Sequence, residues 1–279
     1  MSDMTQSISS PFVESPSPYL RCVILDGSAD KDLLANLYQL SGQGTPTWEP
    51  LFHGTPYADL EESGPILVLS DQQDAWEAYS SNLLEQSDAG CVLYLEDHRD
   101  WEAAVKHCKS LLTVRVENQQ QQLMRFFEPR WLEPLLGSLS ATEREQFFGP
   151  FRTMVWRNEL GWRYAQPTGK WDGKVQAAGW LWLGQDLQKT MEMARLRIIA
   201  KELANDYQVA LPSAEPEDFV YGELLAAHAA DFHQKSHYER WLRMTLSKPQ
   251  GFWSQASTNT VLARDDLAAS EKLDTLEGL

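Results

Sequence analysis

Three short apolar runs, Leu20–Leu25 (broken only by Arg21), Ile66–Leu69 and Cys91–Leu95, punctuate the first half of the chain. Each is too short for a helix and lacks the polar alternation of a half-exposed strand, so each reads as a buried strand. Between and after them lie segments of helical period. Lys31–Leu40 sets Leu33, Leu34, Leu37 and Leu40 on one face, Asp74–Leu84 has Ser70 and Asp71 as candidate caps, and Arg99–Leu111 spaces Trp101, Val105 and Cys108 helically. Strands and helices alternating in this way define an α/β (α+β) lobe built on a mixed β-sheet flanked by helices. Leu112–Val116 and Leu123–Phe127 add a hairpin joined by the polar Glu117–Gln122, and Phe151–Trp156 adds one more strand.

Past Pro129 the pattern turns helical. Trp131–Leu136 and Thr142–Phe148 are short helices, with Ser140 three residues ahead of Glu143, the spacing of a capping box. Gln185–Tyr207 carries the stripe Leu187, Met191, Ala194, Ile198, Leu203 and Tyr207; Glu217–Lys235 and His237–Leu246 follow a break at Leu211–Pro216. Met1–Pro18 is rich in Ser and Pro, has no Lys or Arg and no apolar stretch, and so reads as a flexible arm rather than a secretory signal. The expected organisation is an arm over 1–18, the α/β lobe over 19–156, a mainly α-helical lobe over 157–253 and a flexible acidic tail over 254–279.

Charge and cysteine usage narrow the partners. A net charge of −16 repels nucleic acid, and no run is long enough to span a membrane. Residues 1–150 hold 23 acids against 9 bases, and residues 151–279 hold 17 against 15, so two surfaces of different charge are expected. An equally good account is that acids keep the first lobe in solution. Cys22, Cys91 and Cys108 form an odd, widely spaced set without metal-type pairing; they read as buried thiols of a reducing cytoplasm.

The chain offers little chemistry. It has no phosphate-binding glycine loop, no Gly-x-Ser-x-Gly and no His-Glu-x-x-His. Asp26-Gly27-Ser28 follows a strand, but turn chemistry accounts for it. His233 and His237 would share a helix face if the helix ran through Ser236, yet no third ligand accompanies them, so a solvated face is the better reading. His107 and Cys108 are adjacent on a helix and point apart, and Asp97-His98 at a strand end has no oxyanion donors or orienting group. No catalytic residue, cofactor or metal is expected. What does suggest work is Trp156, Trp162, Arg163, Tyr164, Trp171, Trp180 and Trp182, crowded into an irregular stretch. Trp, Tyr and Arg dominate binding hot spots, so these are the candidate partner-binding residues, although any single tryptophan among them is as well explained by sealing the two lobes together. Arg125 and Arg130 could stand exposed at a strand end and hold a partner's carboxylate, but the apolar residues flanking Arg125 favour its pairing internally with an acid such as Glu128 or Asp97.

Four motifs stand in order between Tyr19 and Pro150: Tyr19–Asp26, Pro50-Leu-Phe-His-Gly-Thr-Pro-Tyr57, Gly64-Pro-Ile-Leu-Val-Leu69, and Leu123–Arg130 with Phe147–Pro150. In this order they resemble the DUF4123 adaptor family of the bacterial type VI secretion system. The residues carrying the last motif are Arg125, Phe126, Phe127, Glu128, Pro129, Arg130, Gly149 and Pro150, all with a structural role expected; Glu128 stands where the family pattern has Asp. The resemblance implies a non-catalytic cytoplasmic chaperone. Its implied partners are a cognate toxic effector and the VgrG spike protein, through the spike's C-terminal extension or a PAAR-type tip. The competing classes are an acidic immunity protein that blocks a toxin, and an enzyme using the groups near Asp26 and Asp97-His98; neither has a motif behind it.

Overall fold

The computed structural model describes residues 5–13, 18–40, 47–70, 74–86, 89–158 and 160–279. It divides into two compact units, Met1–Glu192 and Met193–Leu279. The first is α+β and the second helical.

The first unit is organised by a seven-stranded sheet. In chain order its strands are β1 (Gln6–Ile8), β2 (Leu20–Asp26), β3 (Trp48–Pro50), β4 (Pro65–Ser70) and β5 (Gly90–Leu95), while β6 (Thr113–Arg115) and β7 (Gln121–Leu123) form a separate hairpin; β8 (Phe151–Asn158) and β9 (Gly161–Ala165) complete the sheet. The spatial order is β1-β9-β8-β5-β2-β4-β3, and every described pairing in it is antiparallel. The helices are α1 (Leu33–Leu40), α2 (Asp74–Gln86), α3 (Trp101–Leu111), α4 (Pro129–Ser138) and α5 (Ala141–Phe148).

Alternate residues of the central strands feed two different cores. Cys22, Ile24, Leu67, Leu69, Cys91 and Leu93 pack with Cys108 and Leu111 of α3, Leu132 and Leu135 of α4, and Phe147 of α5. Val23, Leu25, Ile66, Val68, Val92 and Tyr94 pack with Leu33 and Leu37 of α1 and Trp76 and Leu84 of α2. Helices therefore cover both faces, which is why β2, β4 and β5 are apolar at successive positions instead of every second one. Gly90 opens β5 with φ +155°, and a Cβ there would lie 1.9 Å from the carbonyl oxygen of Ile24. Only glycine lets the backbones approach so closely. The expected capping box forms at the start of α5: the Ser140 hydroxyl accepts from the Glu143 amide at 3.3 Å, and the Glu143 carboxylate accepts from the Ser140 amide at 3.0 Å.

Several boundaries differ from expectation. The strand expected over Leu123–Phe127 leaves its ladder after Leu123, and Phe126 and Phe127 turn inward as fully buried rings. Part of the expected arm is strand β1, paired with β9; residues 1–4 and 14–17 of that arm, and the candidate cap Asp71, lie outside the described residues. The division between units falls near 192, not 156, because β9 pairs along β8 and belongs to the sheet. Divided there, the first unit holds 27 acids and 15 bases and the second 13 and 9. The expected contrast in charge thus largely disappears.

The second unit is built from the end of α6 (Gln185–Asp206) with α7 (Pro216–Ala229), α8 (Lys235–Ser247), α9 (Ala256–Leu262) and α10 (Ala269–Glu277). Leu196, Ile199, Ala200 and Leu203 form the buried stripe of α6, whereas Ala194 and Ile198 of the expected stripe are only half-buried. The region expected as a tail is folded: Leu273 and Leu276 are fully buried, and Arg240 on α8 donates to Asp274 at 2.6 Å and to Glu277 at 2.8 Å.

Candidate functional site

The motif around Arg125 forms an ionic corner. β2 ends at Asp26, whose carboxylate accepts from the Ser28 amide at 3.1 Å and the Ser28 hydroxyl at 2.6 Å, closing the turn expected there. The Arg125 guanidinium bridges Asp26 and Glu128, and Arg130 donates to the second oxygen of Glu128 at 2.6 Å. Both acids are buried, while the Arg125 side chain keeps 32% of its surface. Two guanidinium groups balance two carboxylates, so the corner can be buried without uncompensated charge. Of the two partners expected for Arg125, Glu128 is present and Asp97 is not. Asp97 instead accepts from the Arg99 amide at 2.9 Å and is paired with its guanidinium, which holds its carboxyl down to about 2.

The rest of the motif packs behind this corner. Pro129 opens α4, and Phe126, Phe127, Phe147 and Phe148 are fully buried, with Phe126 edge-on to both Phe127 and Phe147. Pro150 is buried too. Gly149 has φ +54°, and a Cβ there would come within 2.5 Å of the His107 ring. His107 is itself buried, with Nε2 2.9 Å from the Phe147 carbonyl oxygen. A carbonyl only accepts, so Nε2 carries the proton and Nδ1 is the unprotonated nitrogen. Burial, opposed by that hydrogen bond, holds the ring's pKa down to about 4.

The aromatic residues singled out as partner-binding separate into two groups. Trp156 and Trp162 are core residues, and Trp162 meets Phe12 edge-on at 6.1 Å. Arg163 donates to the Ser7 hydroxyl at 2.6 Å and the Thr5 hydroxyl at 2.5 Å, and the Tyr164 hydroxyl donates to Gln6. Trp162, Arg163 and Tyr164 thus hold β1 and the residues around it against β9, while Trp156 is buried in the core. The second group lies beyond β9. The Thr168 and Gly169 amides donate to the Glu145 carboxylate at 2.7 and 2.9 Å, and the half-buried Trp171 donates to the Lys174 carbonyl at 3.1 Å. Residues 179–183 then run beside β6, with Arg115 donating to Leu181 at 2.9 Å and Leu183 donating back at 2.8 Å. Leu181 and Leu183 point into the core; Trp180 is half-buried and Trp182 is 37% exposed. Alternation along an extended segment produces this in-and-out pattern, and it is invisible in a sequence where all four residues are apolar.

Cys22, Cys91 and Cys108 are buried free thiols, as expected, and burial pushes the Cys22 thiol up to about 12 and the other two upward as well. They are protonated and inert. His233 and His237 do not share a helix, because α7 ends at Ala229 and α8 begins at Lys235. Among the described residues no group of three or more His, Cys, Asp or Glu is arranged to hold a metal ion, and no helix is long and apolar enough to cross a membrane.

Residues 23–146 match the family model described as a domain of unknown function, DUF4123. That family is associated with adaptor and chaperone function in type VI secretion. The match runs from within β2 to α5, almost the stretch over which the four motifs stand in order, and stops before β8 and β9. No curated protein and no solved structure matches the chain.

Proposed function

We propose that this chain is a non-catalytic cytoplasmic adaptor of bacterial type VI secretion, which binds a cognate toxic effector and loads it onto the VgrG spike. The observation that carries the reading is the DUF4123 match over 23–146, within which the Arg125 motif builds one continuous structural corner. Trp171, Trp180 and Trp182 are the aromatic side chains left accessible in the segment after β9, and Gly179, just before Trp180, lies against the polar side chain of Gln121. An aromatic anchor with a polar rim suits a partner surface, and truncating such an anchor typically costs about 2–4 kcal/mol of binding.

The test is affinity capture of the tagged full chain from its native cytosol, with mass spectrometry of what co-elutes, repeated with Trp182→Ala. Recovery of a VgrG-type spike together with a toxin, both reduced by Trp182→Ala at unchanged melting temperature, supports the adaptor and this face. Recovery of a toxin alone, with protection of recipient cells from it, overturns the reading in favour of an immunity protein. Recovery of neither overturns it outright.

A further inference from the structure

In the second unit the turn between α7 and α8 brings two imidazoles head to head. His228 lies in the last turn of α7, and His233 follows in the connection; their Nδ1 atoms are 3.2 Å apart and their rings stand 75° to one another with centroids at 4.6 Å. Asp231 lies between them in the left-handed region (φ +70°), which a short polar side chain tolerates better than most. Its carboxylate sits 2.8 Å from Nε2 of His233, on the far side of that ring. A carboxylate accepts, so it fixes the proton on Nε2 and leaves Nδ1 of His233 with its lone pair toward His228. His228 therefore donates from Nδ1 in the metal-free turn, and coordination through that nitrogen places its proton on Nε2 instead; the buried Tyr238 hydroxyl also lies 3.0 Å from this Nδ1, and Arg195 donates to the His233 carbonyl at 2.9 Å.

We propose that His228 and His233 form a two-nitrogen chelate for a borderline divalent cation of the zinc class, with Asp231 as the carboxylate behind the second ligand. Three features of the geometry support it. Two nitrogens bound at about 2.0–2.1 Å on a tetrahedral ion lie about 3.3–3.4 Å apart, which the observed separation meets within a small rotation of the exposed His233 ring. A ligating histidine characteristically gives its other N–H to a carboxylate, and Asp231 occupies that position. His233 is 52% exposed, so the remaining coordination positions open to water. With no third protein ligand, the site is an exchangeable chelate rather than a closed structural zinc site. The ion would staple the end of α7 to the segment leading into α8.

Zinc chloride titrated into the full chain against a chelating indicator tests this. The expected result is one site per chain of micromolar affinity, weakened by about tenfold or more in His228→Ala and in His233→Ala, with Asp231→Asn weakening it by about 10–100-fold. His98→Ala, an exposed imidazole on the first unit, leaves it unchanged. Zinc also raises the melting temperature of the wild type but not of His233→Ala. If His228→Ala fails to fold, His233→Ala, on an exposed ring, decides alone. Absence of a stoichiometric site, or His233→Ala binding zinc like the wild type, means that the two rings share only a hydrogen bond and overturns the proposal.

Discussion

Gly149→Ala is the sharpest test of the motif corner. Gly149 sits at φ +54°, ψ −125°, a region closed to side chains, and forcing alanine there costs about 1–3 kcal/mol in backbone strain. Its new Cβ would also stand 2.5 Å from Cε1 and Nε2 of His107, well inside contact distance. The ring has nowhere to go: it is buried, and retreating would break its 2.9 Å bond to the Phe147 carbonyl. Overpacking of this kind adds about 1–3 kcal/mol, giving a central expectation of about 4 kcal/mol. Urea unfolding followed by tryptophan fluorescence and far-UV circular dichroism measures it. Repeating the substitution in a His107→Ala background removes the collision but not the strained backbone, so the penalty should fall to about 1–3 kcal/mol. A loss below about 1 kcal/mol in the wild type would refute the strain argument. A penalty equal in both backgrounds would refute the role given to the ring.

Two further outcomes follow from the same core. His107 has its pKa lowered to about 4 from an unfolded value of 6.5, so the folded state resists the proton. The stability this contributes is complete above pH 6.5 and is lost as pH falls toward 4, by about 3 kcal/mol at most; equilibrium unfolding of the wild type and His107→Gln between pH 7.5 and 4.5 should show a steeper decline in the wild type. Trp156→Ala and Trp162→Ala should each cost about 3–5 kcal/mol in melting experiments, while Trp182→Ala should stay within about 1 kcal/mol of wild type. A Trp162 variant as stable as wild type would return that residue to the surface.

The sequence pattern located β2, β4 and β5 because each carries an unbroken apolar stretch, and the same continuity hid how they pair. A strand buried on both faces carries no in-out alternation, so nothing in Cys22–Leu25 says which neighbour it has or in which direction. The two edge strands and β9, which lies next to one of them, escaped for the opposite reason. β1, β3 and β9 are short and partly polar, and β1 is held by Arg163 and Tyr164, side chains more than 150 positions away. Those contacts are also why a tryptophan-rich stretch that suggested a binding surface is largely sheet edge and core. Arg125 illustrates the limit well. Its local partner Glu128 lies three residues on and was legible, whereas Asp26 lies 99 residues back and only the fold brings it near. His228 and His233 escaped because spacing points to His233 and His237, and the helix break between Ala229 and Lys235 redirects the ring.

The stretch matched by the family is not a physical folding unit, which leads to a prediction about fragments. Residues 23–146 omit β8, whose Val155 and Met154 pair with Val92 and Leu93 of β5. They also omit Phe147, Phe148, Phe151 and Trp156, all fully buried. Six large side chains, these four with Met154 and Val155, contribute about 1.5–3 kcal/mol of burial each, a total of about 10 kcal/mol or more. A whole domain is typically stable by only about 5–15 kcal/mol, so the loss is comparable with everything that holds the fold. Fragment 23–146 should therefore lack a cooperative thermal transition and expose the unpaired edge of β5. Fragment 1–192 keeps all nine strands found among the described residues and should melt as a single unit. Sigmoidal unfolding and dispersed amide resonances from 23–146 alone would show that the sheet closes without β8, and the architecture described here for the first unit would be wrong. If instead only the longer fragment folds, the Arg125 motif and the strands beyond the family match form one cooperative structure, and substitutions at Trp156 or Trp162 act by unfolding it.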